Sequence, residues 1–201
     1  ALQFIRENKE RPFLCYMPIT PPHGMYDIPA DDPAWELYKN EAWMRDPTIS
    51  QDTKNYAAMV SMVDREVGNV LDLLHELGLE ENTIVFFTGD NGGQDRFKSK
   101  EHPRGFFGPN VNPQNGMEFR GGKGNLYEGG LKIPFLVRWP GVVAANTVRD
   151  LVFYQPDLMA TIADLTDTKA PEDTDGISIA PTLLGADDSQ KLHEMLYWEY
   201  G

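Results

Sequence analysis

The sequence predicts an α/β fold with a largely parallel sheet, and three observations carry that expectation. Short apolar runs of strand length stand at 12–18, 83–87 and 133–137. One long stretch with helical apolar spacing separates the first two, and strand–helix–strand is the order that builds parallel sheets. Each run also meets a polar segment rich in Gly or Pro, and in such sheets ligands sit beyond the carboxyl ends of the strands.

The elements follow in chain order. Residues 1–9 read as the end of an amphipathic helix, with Leu2, Phe4 and Ile5 among Arg6, Glu7 and Lys9. Residues 12–18 are bounded by proline and too short for a helix, so a buried strand is expected. Residues 20–52 hold five prolines and read as a long loop, a class that is often functional. Tyr56, Met59, Val60, Val63, Val67, Val70, Leu71, Leu74 and Leu77 then mark the long helix. Asp52 or Thr53 is expected to cap its start and Gly78 to end it. Thr83–Phe87 reads as a strand running into Thr88-Gly89-Asp90-Asn91-Gly92-Gly93, and residues 94–118 as irregular and polar. Ile133–Val137 is a further strand, Pro156 opens a helix through Leu158, Met159, Ile162 and Leu165, and a short helical piece precedes Gly185. Leu196–Tyr200 reads as the start of another strand.

With 201 residues the chain can bury one sizeable core. Its net charge of −13 argues against nucleic acid or an anionic membrane as partner. No run approaches the roughly 18 apolar residues of a membrane span. The single cysteine, Cys15, precludes a disulfide within the chain and is expected to be a buried structural thiol.

Four residues stand out chemically. Asp90 and Asn91 offer hard oxygen donors, which suit Ca²⁺ or Mg²⁺ better than Zn²⁺, although Asp and Asn also favour turns. His23, behind Pro21-Pro22, is either an anion-binding or proton-transferring group or an exposed loop histidine. Lys123, in Arg120-Gly121-Gly122-Lys123-Gly124, could neutralise a sulfate or phosphate oxygen or simply sit in a flexible loop. The order Gly-Lys-Ser/Thr is absent, so this is no Walker A loop. Tyr127 and Glu128 either orient Lys123 or pack. His75 reads as a helix-end residue, and no role is read for His102 or His193.

Taken as an ordered set, these segments resemble the sulfatase family of the alkaline-phosphatase-like superfamily. The resemblance rests on the strand ending in Pro22-His23, on Met62-Val63-Asp64-Arg65-Glu66-Val67-Gly68, on Gly89-Asp90-Asn91-Gly92, and on Gly122-Lys123 through Glu128-Gly129-Gly130 into Ile133-Pro134. It continues through Asp175-Gly176-Ile177-Ser178 to Leu196-Tyr197-Trp198-Glu199. It implies a partial three-layer α/β/α sandwich, truncated at both ends, with residues 1–195 in the catalytic domain and 196–201 opening a C-terminal subdomain. Asp90 and Asn91 then resemble two ligands of a catalytic Ca²⁺. Lys123 and His23 resemble the groups that bind the sulfate ester and assist its leaving oxygen.

The implied nucleophile is a formylglycine made from a C/S-x-P/A-x-R motif, and Cys15, in Cys-Tyr-Met-Pro-Ile, does not match it. That motif and a pair of aspartates completing the calcium site are therefore expected upstream of Ala1. Thr88-Gly89 stands where Thr-Ser is commoner, and Lys132 where Arg is. The expected activity is hydrolysis of a carbohydrate or aryl sulfate, with export expected by analogy. A phosphodiesterase or phosphonate hydrolase of the same superfamily, or a non-catalytic anion-binding module, is the alternative.

Overall fold

The computed structural model describes residues 1–94 and 110–200, together with the backbone of 96–97 and 105–106. His102 lies outside the described residues. The chain forms two compact units, Ala1–Glu80 with Thr88–Pro134 and Glu81–Phe87 with Phe135–Gly201.

In the first unit, helix α1 (Leu2–Asn8) buries Ile5 and Asn8. The segment expected as a long loop contains two short helices, α2 (Ala34–Tyr38) and α3 (Ala42–Arg45). The long helix is α4 (Gln51–Glu76). Its cap is Ser50, not Asp52 or Thr53: the Ser50 hydroxyl accepts from the Thr53 N–H at 3.2 Å. Asp52 instead lies in the first turn, where its charge suits the positive end of the helix. Gly78, at φ 66°, ends the helix by admitting the left-handed turn that lets the Leu79 N–H reach the Leu74 carbonyl at 2.8 Å.

Ala58 and Met59 of α4 pack with Ile28 and Ala34, beside Tyr26, Trp35 and Met62. Asp32 ties that packing to the helix. Its carboxylate takes both Arg65 guanidinium nitrogens, at 2.7 and 3.2 Å, and the Ala34 N–H at 2.8 Å. The Arg65 hydrogen bonds, with that N–H second, hold the Asp32 carboxyl below its ordinary range. A carboxyl with a depressed folded-state pKa contributes stability above its unfolded value, about 3.9, and loses it as pH falls through the folded value. The urea midpoints of wild type and Asp32→Asn should therefore differ by a constant amount above about pH 5. The gap should close below about pH 4. A gap unchanged down to about pH 3 would contradict the assignment.

The run 12–18 departs from expectation. It joins no strand among the described residues, and Leu14 and Tyr16 are 69% and 83% exposed. An extended run becomes a strand only where a neighbour satisfies its N–H and C=O groups, and this one pairs with none of the described strands. Cys15 is half-buried on the wall of an open groove of about 410 Å³, rather than buried. Within 94–118, expected to be irregular, β2 (Arg96–Phe97) pairs antiparallel with β3 (Gly105–Phe106), and Val111 bridges Glu118.

The second unit centres on a two-stranded sheet of β1 (Val85–Thr88, of which Thr88 is counted with the first unit) and β4 (Phe135–Arg138). Phe135 packs against Phe86 with the rings tilted, at 5.7 Å, and edge-on against Phe153, at 4.5 Å between ring centroids. Pro156 opens α6 (Pro156–Leu165) as expected; α5 (Glu128–Leu131) belongs to the first unit, and α7 (Ala180–Leu183) precedes Gly185. Leu196–Tyr200 is irregular rather than a strand, again with no ladder partner among the described residues.

Asp157, fully buried, anchors this unit. Its carboxylate accepts from the Tyr154 N–H at 3.0 Å and the Ile177 N–H at 2.7 Å, and meets His193 Nε2 at 2.8 and 3.0 Å. The Tyr154 ring packs edge-on against His193 at 5.0 Å. Burial first, then the charges of Asp175 and Asp157, raise the Tyr154 phenol above its ordinary pKa.

Candidate functional site

β1 carries the chain directly into Gly89-Asp90-Asn91-Gly92-Gly93, and this loop lies against the glycine-rich loop 120–130. The Gly92 N–H donates to the Gly130 carbonyl at 2.9 Å, and the Lys123 N–H donates to the Gly93 carbonyl at 2.9 Å. A strand end and a loop thirty residues later are thus stitched backbone to backbone, with Asp90, Asn91 and Lys123 on the stitched segments.

Only glycine allows this approach. A Cβ at Gly92 would stand 2.0 Å from the Gly129 carbonyl oxygen, and one at Gly129 would stand 1.9 Å from that of Gly121. Both obstacles are backbone, which cannot swing aside as a side chain can. Gly89 is different, for its Cβ would meet only ordinary contacts beginning at 3.5 Å. A Cβ therefore fits there without displacing its neighbours.

The side chains on these loops are exposed. Among the described residues, the Asp90 carboxylate and the Lys123 ammonium take no hydrogen bond or ion pair. Asn91 ties its amide nitrogen back to the Gly92 carbonyl at 2.9 Å, and among the described residues its Oδ1 takes no hydrogen bond. Asp90 and Asn91, neighbours in sequence, therefore present oxygens that no described residue engages, a donor set whose chemistry fits Ca²⁺. They provide a minority of the roughly 6–8 oxygens that ion takes. The described residues contain no cluster of three or more His, Cys, Asp or Glu side chains able to hold a metal.

The neighbours of Lys123 pack rather than orient it. Tyr127 lies under the Arg120 guanidinium, 3.7 Å from ring centroid to Cζ, and Glu128 pairs with Lys132 at 3.0 Å. His23 is exposed in a turn closed by its own N–H on the Thr20 carbonyl at 2.9 Å. No hydrogen bond or ion pair among the described residues joins it to the other three. The structure thus brings together three of the four sequence candidates. It adds one that the sequence did not single out: Asn110, whose side-chain amide reaches both loops, donating to the Gly93 and Gly129 carbonyls at 2.9 Å each.

Comparison with known proteins bears on this arrangement. Residues 1–168 match the family model described as Sulfatase. The mouse steryl-sulfatase is 33% identical over 201 residues, which cover 98% of this chain and 28% of that protein. An N-acetylgalactosamine-6-O-sulfatase of Bacteroides thetaiotaomicron is 34% identical over 192 residues, covering 93% of this chain and 33% of that protein. Among solved structures, Ps i-CgsB in complex with k-i-k-neocarrahexaose superposes with a TM-score of 0.72 at 28% identity, covering 92% of this chain and 37% of that one. The chain spans about a third of the length of these relatives.

Proposed function

This chain belongs to the sulfatase family, and we propose that it supplies the metal-binding and sulfate-binding part of a sulfuric-ester hydrolase. The observation that carries the proposal is the stitching of the Asp90–Asn91 loop to the Lys123 loop. It sets the Asp90 carboxylate, Asn91 Oδ1 and the Lys123 ammonium, none of them bonded to another described residue, on hydrogen-bonded backbone segments, and a sulfate ester activated by a cation asks for those groups.

In this reading Asp90 and Asn91 Oδ1 hold Ca²⁺. The ion, when bound, supplies Lewis-acid polarisation of the ester oxygens. Lys123 faces the charge that grows on the sulfate and its leaving oxygen, and steadies it without needing to move. His23, an exposed imidazole, is the candidate for handing a proton to that oxygen. The attacking group is assigned to a formylglycine elsewhere in the whole protein, because no C/S-x-P/A-x-R run occurs in this sequence. The substrate is a carbohydrate or aryl sulfate; among relatives, one structure holds a neocarrahexaose and others are named for sterol or N-acetylgalactosamine sulfates.

The test uses 4-nitrophenyl sulfate and 6-sulfated N-acetylgalactosamine. The full-length protein should release sulfate, lose activity on calcium chelation and regain it when Ca²⁺ is restored. The 201-residue chain alone should show no turnover, since covalent catalysis needs its nucleophile. Robust multiple turnover by the isolated chain would overturn that part of the reading. Hydrolysis of phosphate diesters in preference to both sulfates would replace it with the phosphodiesterase alternative.

A further inference from the structure

We propose that Asn110 is a positioning residue that fixes the spacing between the Asp90–Asn91 pair and Lys123. The catalytic meaning of that role rests on the sulfatase reading above. Asn110 lies on neither loop. Its backbone carbonyl accepts the Phe119 N–H at 2.7 Å, which anchors it to the segment entering Arg120. From there its amide nitrogen, with two hydrogens in one plane, donates to a carbonyl of each loop: Gly93 O and Gly129 O, at 2.9 Å each.

The Gly93 carbonyl is a shared node, because it also receives the Lys123 N–H. One side chain thus closes a triangle whose other sides are the bonds between the loops. The seat is tight on the loop side as well: a Cβ on Gly93 would stand 2.5 Å from Asn110 Oδ1, so any residue larger than glycine there displaces the amide. Without the amide, the two carbonyls lose their common donor, and among the described residues the hydrogen bonds that still join the loops are backbone bonds. An aspartate of the same shape would point acceptors at acceptors.

The experiment uses the full-length protein with three variants, Asn110→Ala, Gly93→Ala and the double substitution. Two readouts are taken, amide hydrogen exchange of peptides spanning 89–94 and 120–130, and steady-state hydrolysis of 4-nitrophenyl sulfate. Asn110→Ala should speed exchange in both peptides and lower kcat about tenfold to a hundredfold, with KM moving by less than about threefold, because a displacement near 1 Å carries a cost of that order. Gly93→Ala should do the same by pushing the amide out, and the double variant should be little worse than either single one, since both break one contact. Should Asn110→Ala fail to fold, Gly93→Ala reads the same contact. Unchanged exchange in either loop, fully additive defects, or kcat within about twofold of an active wild type would overturn the proposal. If wild type itself shows no sulfatase activity, the sulfatase reading falls, and the exchange and additivity arms alone decide whether Asn110 sets the spacing.

Discussion

Replacing Lys123 with alanine in the full-length protein is expected to lower kcat on the order of 10²–10³-fold and to leave unfolding essentially unchanged. The two halves of this expectation come from different atoms of one residue. The backbone N–H of Lys123 does the structural work on Gly93 O, and alanine keeps it. The ammonium is exposed and engages no acid among the described residues, so its removal breaks no internal ion pair. What is lost is a fixed cation beside a developing anion. Steady-state kinetics with an aryl sulfate, beside a thermal melt, separate the two. A folded variant with unchanged kcat would remove Lys123 from the site.

The second large effect falls on stability. Asp157→Ala should cost about 3–5 kcal/mol, as breaking a buried, hydrogen-bonded acidic partner commonly does. The Tyr154 and Ile177 N–H groups would lose their acceptor, and the nearly buried His193 would lose its partner. Asp157→Asn keeps one carbonyl oxygen and should cost less. Urea unfolding of both variants tests this order, and a loss under about 1 kcal/mol for alanine would show that Asp157 is not the anchor.

The sequence conveyed what is local. α4, α6 and β1 were legible because apolar spacing, Pro156 and Gly78 act within a few residues of themselves. The loops carrying Asp90, Asn91 and Lys123 stood out by their glycine density, read as room for a ligand, and in the structure part of that room is taken by the other loop's backbone. Three things were not. Residues 12–18 carry the composition of a buried strand, yet strand burial depends on neighbours that no local pattern encodes. His193 looked unremarkable because its partner, Asp157, is 36 residues away and becomes special only through burial. Asn110 sits in an ordinary polar context, and its role exists only once loops near residues 93 and 129 have met.

The glycine contacts bear on how this protein varies by inheritance. Every single-base change of a glycine codon that puts another amino acid in its place adds at least a Cβ. At Gly92 and Gly129 that atom would fall 2.0 and 1.9 Å from a carbonyl oxygen. No first amino-acid replacement at either position is gentle. The path of the backbone through this site is therefore held at Gly92 and Gly129 by sterics alone, independently of the chemistry of the side chains the loops carry.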